Sequence, residues 1–187
     1  RMKSSRAKVL HEVFFKPMLH HVLDAIEQLG SGRTVVIVGH QEERVRDALK
    51  DYDVEIVVQQ EQLGTGHAVQ MAGPVIPERD GLVMILCGDT PLISTSALQQ
   101  MIKKHSDNNA DLTVMTTVLD NPFGYGRIVE DGNSLLAIVE EKEADENQKK
   151  IKEINAGIYL VDRRFLFEAL ATITPDNTQG EFYLTDI

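Results

Sequence analysis

Apolar residues recur at three- and four-residue spacing between Pro17 and Leu29: Met18, Leu19, Val22, Leu23, Ile26 and Leu29. That stripe predicts an amphipathic helix, and Gly30 is placed to end it in the left-handed conformation. Residues 34–38 (Thr-Val-Val-Ile-Val) form a β-branched run of the kind found in a strand buried on both faces. The alternation continues with a surface helix over 42–50, a strand over 55–58, a short helix over 66–72 and a buried strand over 82–86. Ser94 is a natural N-cap for a helix through Lys104, and residues 112–118 are again strand-like. Such alternation predicts βαβ units with right-handed crossovers and a mainly parallel sheet. From Asn121 onward the pattern changes. Residues 124–129 and 135–139, separated by Asp131-Gly132-Asn133, predict antiparallel strands, followed by a charged surface helix over 144–152 and a strand over 154–161. No repeat or linker interrupts the 187 residues, so one domain is expected, with a nucleotide half over 1–120 and an accessory half over 121–187.

Composition narrows the function classes. With 42% hydrophobic residues the chain can build a core, and no apolar run approaches the ~20 residues that span a bilayer. No membrane association is expected. A formal charge of −10 disfavours a nucleic-acid surface, which needs a basic stripe, but leaves room for a nucleotide held by a few cations. The single cysteine, Cys87, excludes an internal disulfide and suits a reducing cytoplasm. The chain reads as part of a longer protein.

Candidate chemistry clusters at strand ends, where open α/β sheets bind ligands. After strand 55–58 comes Gln59, whose amide can meet the edge of a base or simply end the strand, and then Gly64-Thr65-Gly66. Those glycines permit a sharp turn ahead of a helix, with backbone amides free for nucleotide oxygens, though most such turns are only connections. After strand 82–86 comes Cys87-Gly88-Asp89-Thr90-Pro91. Gly88 allows close backbone approach and Asp89 offers a hard oxygen for Mg²⁺, or else an Asx turn before Pro91. Glu140 and Asn155 suit sugar hydroxyls, although Glu140 lies in the run Glu140-Glu141-Lys142-Glu143, a pattern usual for a solvated face. Gly124 and Gly126 flank Tyr125 as bends or as a site. Arg1 and Lys8 are cations able to neutralise phosphate, or scattered surface charges. All six histidines read as core or solvated residues.

The ordered set of stretches resembles the uridyltransferase domain of bacterial N-acetylglucosamine-1-phosphate uridyltransferases, bifunctional enzymes that also acetylate glucosamine 1-phosphate. The set begins with Arg1-Met-Lys-Ser4, Lys8-Val-Leu-His11, Lys16-Pro-Met18, Gln62-Leu-Gly-Thr-Gly-His-Ala68 and Gly88-Asp-Thr-Pro-Leu92. It ends with Gly124-Tyr-Gly-Arg-Ile128, Ile138-Val-Glu140, Glu153-Ile-Asn155 and Gln179-Gly-Glu-Phe-Tyr-Leu-Thr-Asp186. The resemblance implies a Rossmann-like nucleotide-diphospho-sugar transferase fold and a Mg²⁺-dependent reaction. UTP and N-acetylglucosamine 1-phosphate would give UDP-N-acetylglucosamine and pyrophosphate for cell-wall precursors, in a parent that trimerises through a further domain. It implies that Arg1 and Lys8 hold the triphosphate and that Gln59, Gly64 and Thr65 face uracil. Cys87 and Gly88 would line the pocket, Asp89 would hold the metal, and Gly126, Glu140 and Asn155 would contact the sugar. Ala7, Phe15, Glu141 and Ala156 depart from the family's common proline, glycine, histidine and threonine. The glycine-rich stretch that family carries before Arg1, and a second metal-binding asparagine beyond Ile187, lie outside this sequence. Another sugar-1-phosphate nucleotidyltransferase and an inactive nucleotide-sugar-binding fragment remain as alternatives.

Overall fold

The computed structural model describes residues 6–30, 32–77, 81–132 and 134–187. A 3-10 turn, Lys8–Leu10, leads into a small hairpin of β1 (Glu12–Val13) and β2 (Lys16–Pro17), neither of which the hydrophobic pattern indicated. Helix α1 (Met18–Leu29) follows, ended by Gly30 at φ 75° as expected. Then come β3 (Val35–Val38), α2 (Glu42–Ala48) and β4 (Glu55–Val58), a βαβ unit whose strands pair in parallel, Val35 opposite Glu55. These strands are only half-buried apart from Val38, less than their composition suggested.

Helix α3 (Thr65–Ala72), β5 (Leu82–Ile85), α4 (Thr95–Asp107) and β6 (Leu112–Val118) complete the first half. Ser94 caps α4 by accepting a hydrogen bond from Ala97 N at 3.2 Å. The second half holds β7 (Arg127–Asp131), β8 (Ser134–Val139), β9 (Glu153–Asp162) and α5 (Arg163–Leu170). Strands β7 and β8 pair antiparallel as predicted, with Asn133 of their turn outside the described residues.

The α/β class is as expected, with both parallel and antiparallel pairing; the antiparallel share is larger than the alternation of elements indicated. Strand β9 runs antiparallel to β5, β6 and β7, so the five-stranded sheet joins strands from both sides of residue 120. The expected helix over 144–152 is absent. Asp145 Oδ1 accepts from Asn147 N at 2.7 Å and Gln148 N at 2.8 Å, an Asx turn that competes with helical bonding, and a 3-10 turn at Gln148–Lys150 forms instead. Residues 184–186 form a further 3-10 turn.

Strand β9 alternates between two cores. Tyr159 and Val161 pack with Val69, Leu166 and Leu170, while Ile158 and Leu160 pack with Ala25, Leu98 and Met101. A third cluster, including Leu10, Leu19, Leu23, Val38 and Val45, ties the first helix to the parallel pair.

The two-residue turn of the β1–β2 hairpin is Phe14-Phe15, with φ of 50° and 63°. Both central residues of such a turn need positive φ, a conformation that costs an L-residue about 1–2 kcal/mol. The hairpin holds because His21 Nε2 bonds Val13 O at 2.8 Å, Met18 N donates to His11 O at 2.9 Å, and Lys16 pairs with Asp24. Phe15 is 98% exposed and gains nothing from burial. The expected result of Phe15→Gly is a stability increase of about 1 kcal/mol in urea unfolding. A decrease would show that the turn is unstrained.

Candidate functional site

The turn after β5 forms one corner of the site. Thr90 Oγ1 donates to Cys87 O at 2.7 Å, closing residues 87–90. A Cβ on Gly88 would stand 3.2 Å from Leu19 Cδ1 and 3.3 Å from Val9 Cγ1, so this glycine fits the turn against the amino-terminal segment. That packing brings Lys8 Nζ onto Asp89 Oδ2 in an ion pair. The hydrogen bond to Asp89 holds the lysine ammonium above its ordinary range. Lys8 is 65% exposed and Asp89 27%, so water screens the pair and its contribution to stability is small. Both groups can therefore exchange partners cheaply. Arg1 lies outside the described residues.

Cys87 links this corner to the next. Its Sγ donates to Gly157 O at 3.4 Å, and a Cβ on Gly157 (φ 73°) would sit 2.9 Å from that sulfur. The thiol retains surface that water reaches, yet protein crowds it from below. Desolvation, with Asp89 adding, raises it above the usual thiol range, so it stays protonated.

Asn155 organises the second corner. Its N–H donates to Gly126 O at 2.9 Å, its Oδ1 accepts from Gly157 N at 2.8 Å, and its Nδ2 donates to Tyr159 Oη. Burial pushes the Tyr159 phenol up to about 12, so it remains an O–H. A Cβ on Gly126 would approach Ile138 Cγ2 to 3.1 Å, Glu140 Oε1 to 3.5 Å and Asn155 Cβ to 3.7 Å; the absent side chain is what lets the three residues meet. Glu140 accepts from Thr185 Oγ1 at 3.2 Å, and burial, with Asp186 nearby, raises its carboxyl above the ordinary value despite that bond.

In the acidic run, Glu140 and Glu141 are half-buried while Lys142 and Glu143 are exposed, and the last three have protein partners. Glu141 takes Arg127, Lys142 takes Gln179 and Glu143 takes Thr178. The carboxyl-terminal segment lies close enough to supply partners that sequence spacing does not reveal.

The Gly64–Gly66 bend forms the third corner, and here the structure differs from the sequence expectation. A Cβ on Gly64 (φ 114°) would lie 2.4 Å from Phe182 O, and one on Gly66 2.5 Å from Ile173 Cδ1. Phe182 N donates to Leu63 O at 2.7 Å, and Gly66 N donates to Phe182 O at 2.8 Å. The glycines thus make room for the chain's own Ile173, Phe182 and Tyr183, and one helix-start amide is already occupied. Gln59 is buried, and its Nε2 donates to Gly64 O at 3.0 Å with His67 Nδ1 also at 3.0 Å, so its amide nitrogen braces the bend. Thr65 Oγ1 accepts from Leu184 N at 3.0 Å.

The three corners form one connected set. Lys8 meets Asp89, Cys87 meets Gly157, Asn155 meets Gly126, Glu140 meets Thr185, and the neighbouring Leu184 meets Thr65. A cavity of about 520 Å³ borders this set at Glu140, Tyr159 and Thr185, whereas Lys8, Asp89 and Gly64 do not line it. Among the described residues no three or more His, Cys, Asp or Glu side chains converge on a metal position, and no helix is long and apolar enough to cross a membrane. Sequence reasoning nominated neither Tyr159 nor Arg127. The available signal for Arg127 was a charge in the middle of a strand-forming run.

The chain is 54% identical over 188 residues to "Bifunctional protein GlmU" of Desulfotalea psychrophila, covering all of this chain and 56% of that protein. It is also 54% identical to the protein of the same name from Heliobacterium modesticaldum, of which it covers 41%. The chain thus spans about half the length of these relatives, or less. Among solved structures, a UDP-glucose pyrophosphorylase complexed with UDP-glucose superposes with a TM-score of 0.74 at 18% identity, covering 96% of this chain and 76% of the other. HddC from Yersinia pseudotuberculosis, complexed with GMP-PN, gives 0.66 at 21% identity, covering 99% and 78%. These two likenesses speak to the fold, which is that of the nucleotide-sugar pyrophosphorylases. The profile of the Nucleotidyl transferase family matches residues 3–187, and with nearly every residue inside that match the chain belongs to the nucleotidyl transferase family.

Proposed function

We propose that the protein of which this chain is part transfers UMP from UTP to N-acetyl-α-D-glucosamine 1-phosphate, releasing pyrophosphate and UDP-N-acetylglucosamine for cell-wall synthesis in the cytoplasm. The observation that carries this reading is the linkage of Lys8–Asp89, Asn155–Gly126–Glu140 and the Thr65 bend into one continuous set. The 54% identity to bifunctional relatives named GlmU supports the same substrates.

Both reactants are anions, so the barrier is largely electrostatic. Asp89 fits Mg²⁺: it is a water-accessible carboxylate at a strand end, and substrate phosphates supply the remaining hard oxygens such a cation prefers. Bound there, Mg²⁺ would supply charge neutralisation between the two phosphates. Lys8, released from Asp89, turns its ammonium to the triphosphate and stabilises charge gathering on the departing pyrophosphate. An oxygen of the sugar phosphate attacks the α-phosphorus in line as the bond to pyrophosphate breaks. That oxygen is already ionised, so no protein base is required, and the protonated Cys87 need not react. Gly126, Glu140 and Asn155 hold the acetylated sugar. Glucosamine-phosphate acetylation and trimer formation belong, in this reading, to the remainder of the parent protein.

Pyrophosphate release by the intact protein should be fastest with UTP and N-acetylglucosamine 1-phosphate in a panel including dTTP and glucose 1-phosphate; preference for another pair would reassign the substrate. Asp89→Ala should lower turnover by roughly 10²-fold or more while the protein still folds. Near-normal turnover at limiting Mg²⁺ would remove Asp89 from the metal role.

Glu140→Gln couples activity to stability. Replacing a charged acceptor by a neutral one weakens the hydrogen bond it receives and should lower use of the sugar phosphate by roughly ten- to a hundredfold. Because burial raises the Glu140 carboxyl, the folded protein binds its proton more tightly than the unfolded chain does. Its stabilising effect is therefore complete below the ordinary value of 4.5 and lost as pH rises through the folded value. Melting temperature at pH 7 should accordingly rise in the variant relative to the native protein, and the gain should vanish near pH 4. A uniform gain or loss at both pH values would mean that Glu140 is not desolvated.

A further inference from the structure

Arg127 is the largest fully buried side chain among the described residues, at 1% exposure. Its Nη2 bonds Glu141 Oε2 at 2.5 Å and its Nη1 donates to Tyr125 O, while Nε has no partner. The same Glu141 Oε2 accepts from Gly124 N at 3.0 Å. The guanidinium and carboxylate thus grip a single short loop from two sides, at its Gly124 amide and its Tyr125 carbonyl. Gly124 sits at φ 86°, and Tyr125 N donates to Pro122 O at 3.2 Å. The loop delivers Gly126, whose carbonyl takes Asn155 N and whose missing side chain admits Glu140.

An ion pair with its arginine fully buried is a poor stabiliser, since desolvating the guanidinium offsets much of its attraction to the carboxylate. Leaving Nε unbonded in the interior adds a further cost. A guanidinium devoted to general stability would have its donors satisfied; this one spends both of its bonds on the loop and on the carboxylate that holds the loop. Glu141 is kept ionised by the Gly124 amide and by Arg127, which hold its carboxyl below the usual range.

We propose that the Arg127–Glu141 pair is a positioning device that fixes the backbone of residues 124–126 and so sets the site's affinity for the sugar phosphate without touching it. The proposal rests on the sugar-side assignment of Gly126, Glu140 and Asn155 given above. It assigns a role to a residue, Glu141, that the family resemblance singles out only as a departure.

The test uses the intact protein. Glu141→Ala leaves a buried, uncompensated arginine and can fail to fold, so the deciding variant is the double Arg127→Leu/Glu141→Leu, which removes both charges. The expected result is a folded protein whose KM for N-acetylglucosamine 1-phosphate rises about tenfold or more, with the KM for UTP unchanged within about twofold. Wild-type kinetics in the folded double variant would overturn the proposal and leave the pair as packing. An equal rise in both KM values would overturn it too, as general loosening. A second arm needs no turnover: Phe123→Trp places a reporter on the loop, 75% exposed in the native protein. In the double-variant background its fluorescence anisotropy should fall, and unchanged anisotropy would refute the clamp. If the unmodified protein does not use these substrates at all, the functional reading fails while the anisotropy still decides the clamp.

Discussion

Strand β9 is the constraint on which the rest of the structure depends. It is paired along both edges, and its alternate residues enter two separate cores, with Ile158, Tyr159, Leu160 and Val161 all at 4% exposure or less. Each such side chain contributes about 1.5–3 kcal/mol when fully buried. A slip of one residue would exchange the two faces and misplace all four. The register is therefore fixed by packing, and Asn155 at the start of the strand inherits its position from that packing. Between Asn155 and Tyr159 the strand carries extra residues opposite Val114–Thr116, with Gly157 in a left-handed conformation at the irregularity. Such bulges re-aim side chains. This one turns Asn155 Oδ1 onto its own Gly157 amide and leaves room for the Cys87 sulfur.

Electrostatics in the site run against the protein's overall charge. In a chain of net charge −10, Lys8 and Asp89 neutralise one another at a wet corner. Such a pair does little to hold the fold together, which makes its two members available to a ligand. Glu140 and Arg127 sit in the opposite regime. Both are held in places where charge is costly, and only the surrounding core makes those places tolerable. Stability and site geometry therefore draw on the same interior.

Regular elements with a strong period were legible from sequence: the α1 stripe with its Gly30 terminator, the β4 boundaries, the Ser94 cap. Their cause is local. The pairing partner of β9 was not legible, because a strand that returns from the second half to lie between β5 and β6 leaves no trace in the period of either. The Phe14-Phe15 turn was hidden for another reason, since aromatic residues are poor candidates for positive φ and tertiary bonds from His21 and Asp24 impose it. Of the residues singled out at strand ends, the structure brings Gly126, Glu140 and Asn155 together and pairs Asp89 with Lys8. What approaches Gly64 could not be read. A glycine announces that something comes near, and here the visitor is Phe182, 118 residues further along the chain.

That visitor bears on how the two sides of the site are held. Leu184 N bonds Thr65 Oγ1 and the adjacent Thr185 Oγ1 bonds Glu140, so two consecutive residues join the bend to the Glu140 carboxylate. Phe182 bonds Leu63 and Gly66 just before them, and Tyr183 and Leu184 are themselves buried. A segment held by backbone hydrogen bonds and by packing at the same residues has little freedom to rotate, because each kind of contact fixes what the other would allow. Displacing the bend must therefore either break these bonds or carry Glu140's partner with it. The separation between the Gly64–Gly66 bend and Glu140 is accordingly a property of the carboxyl-terminal segment. Neither of the two motifs sets it alone, which is why neither motif discloses it.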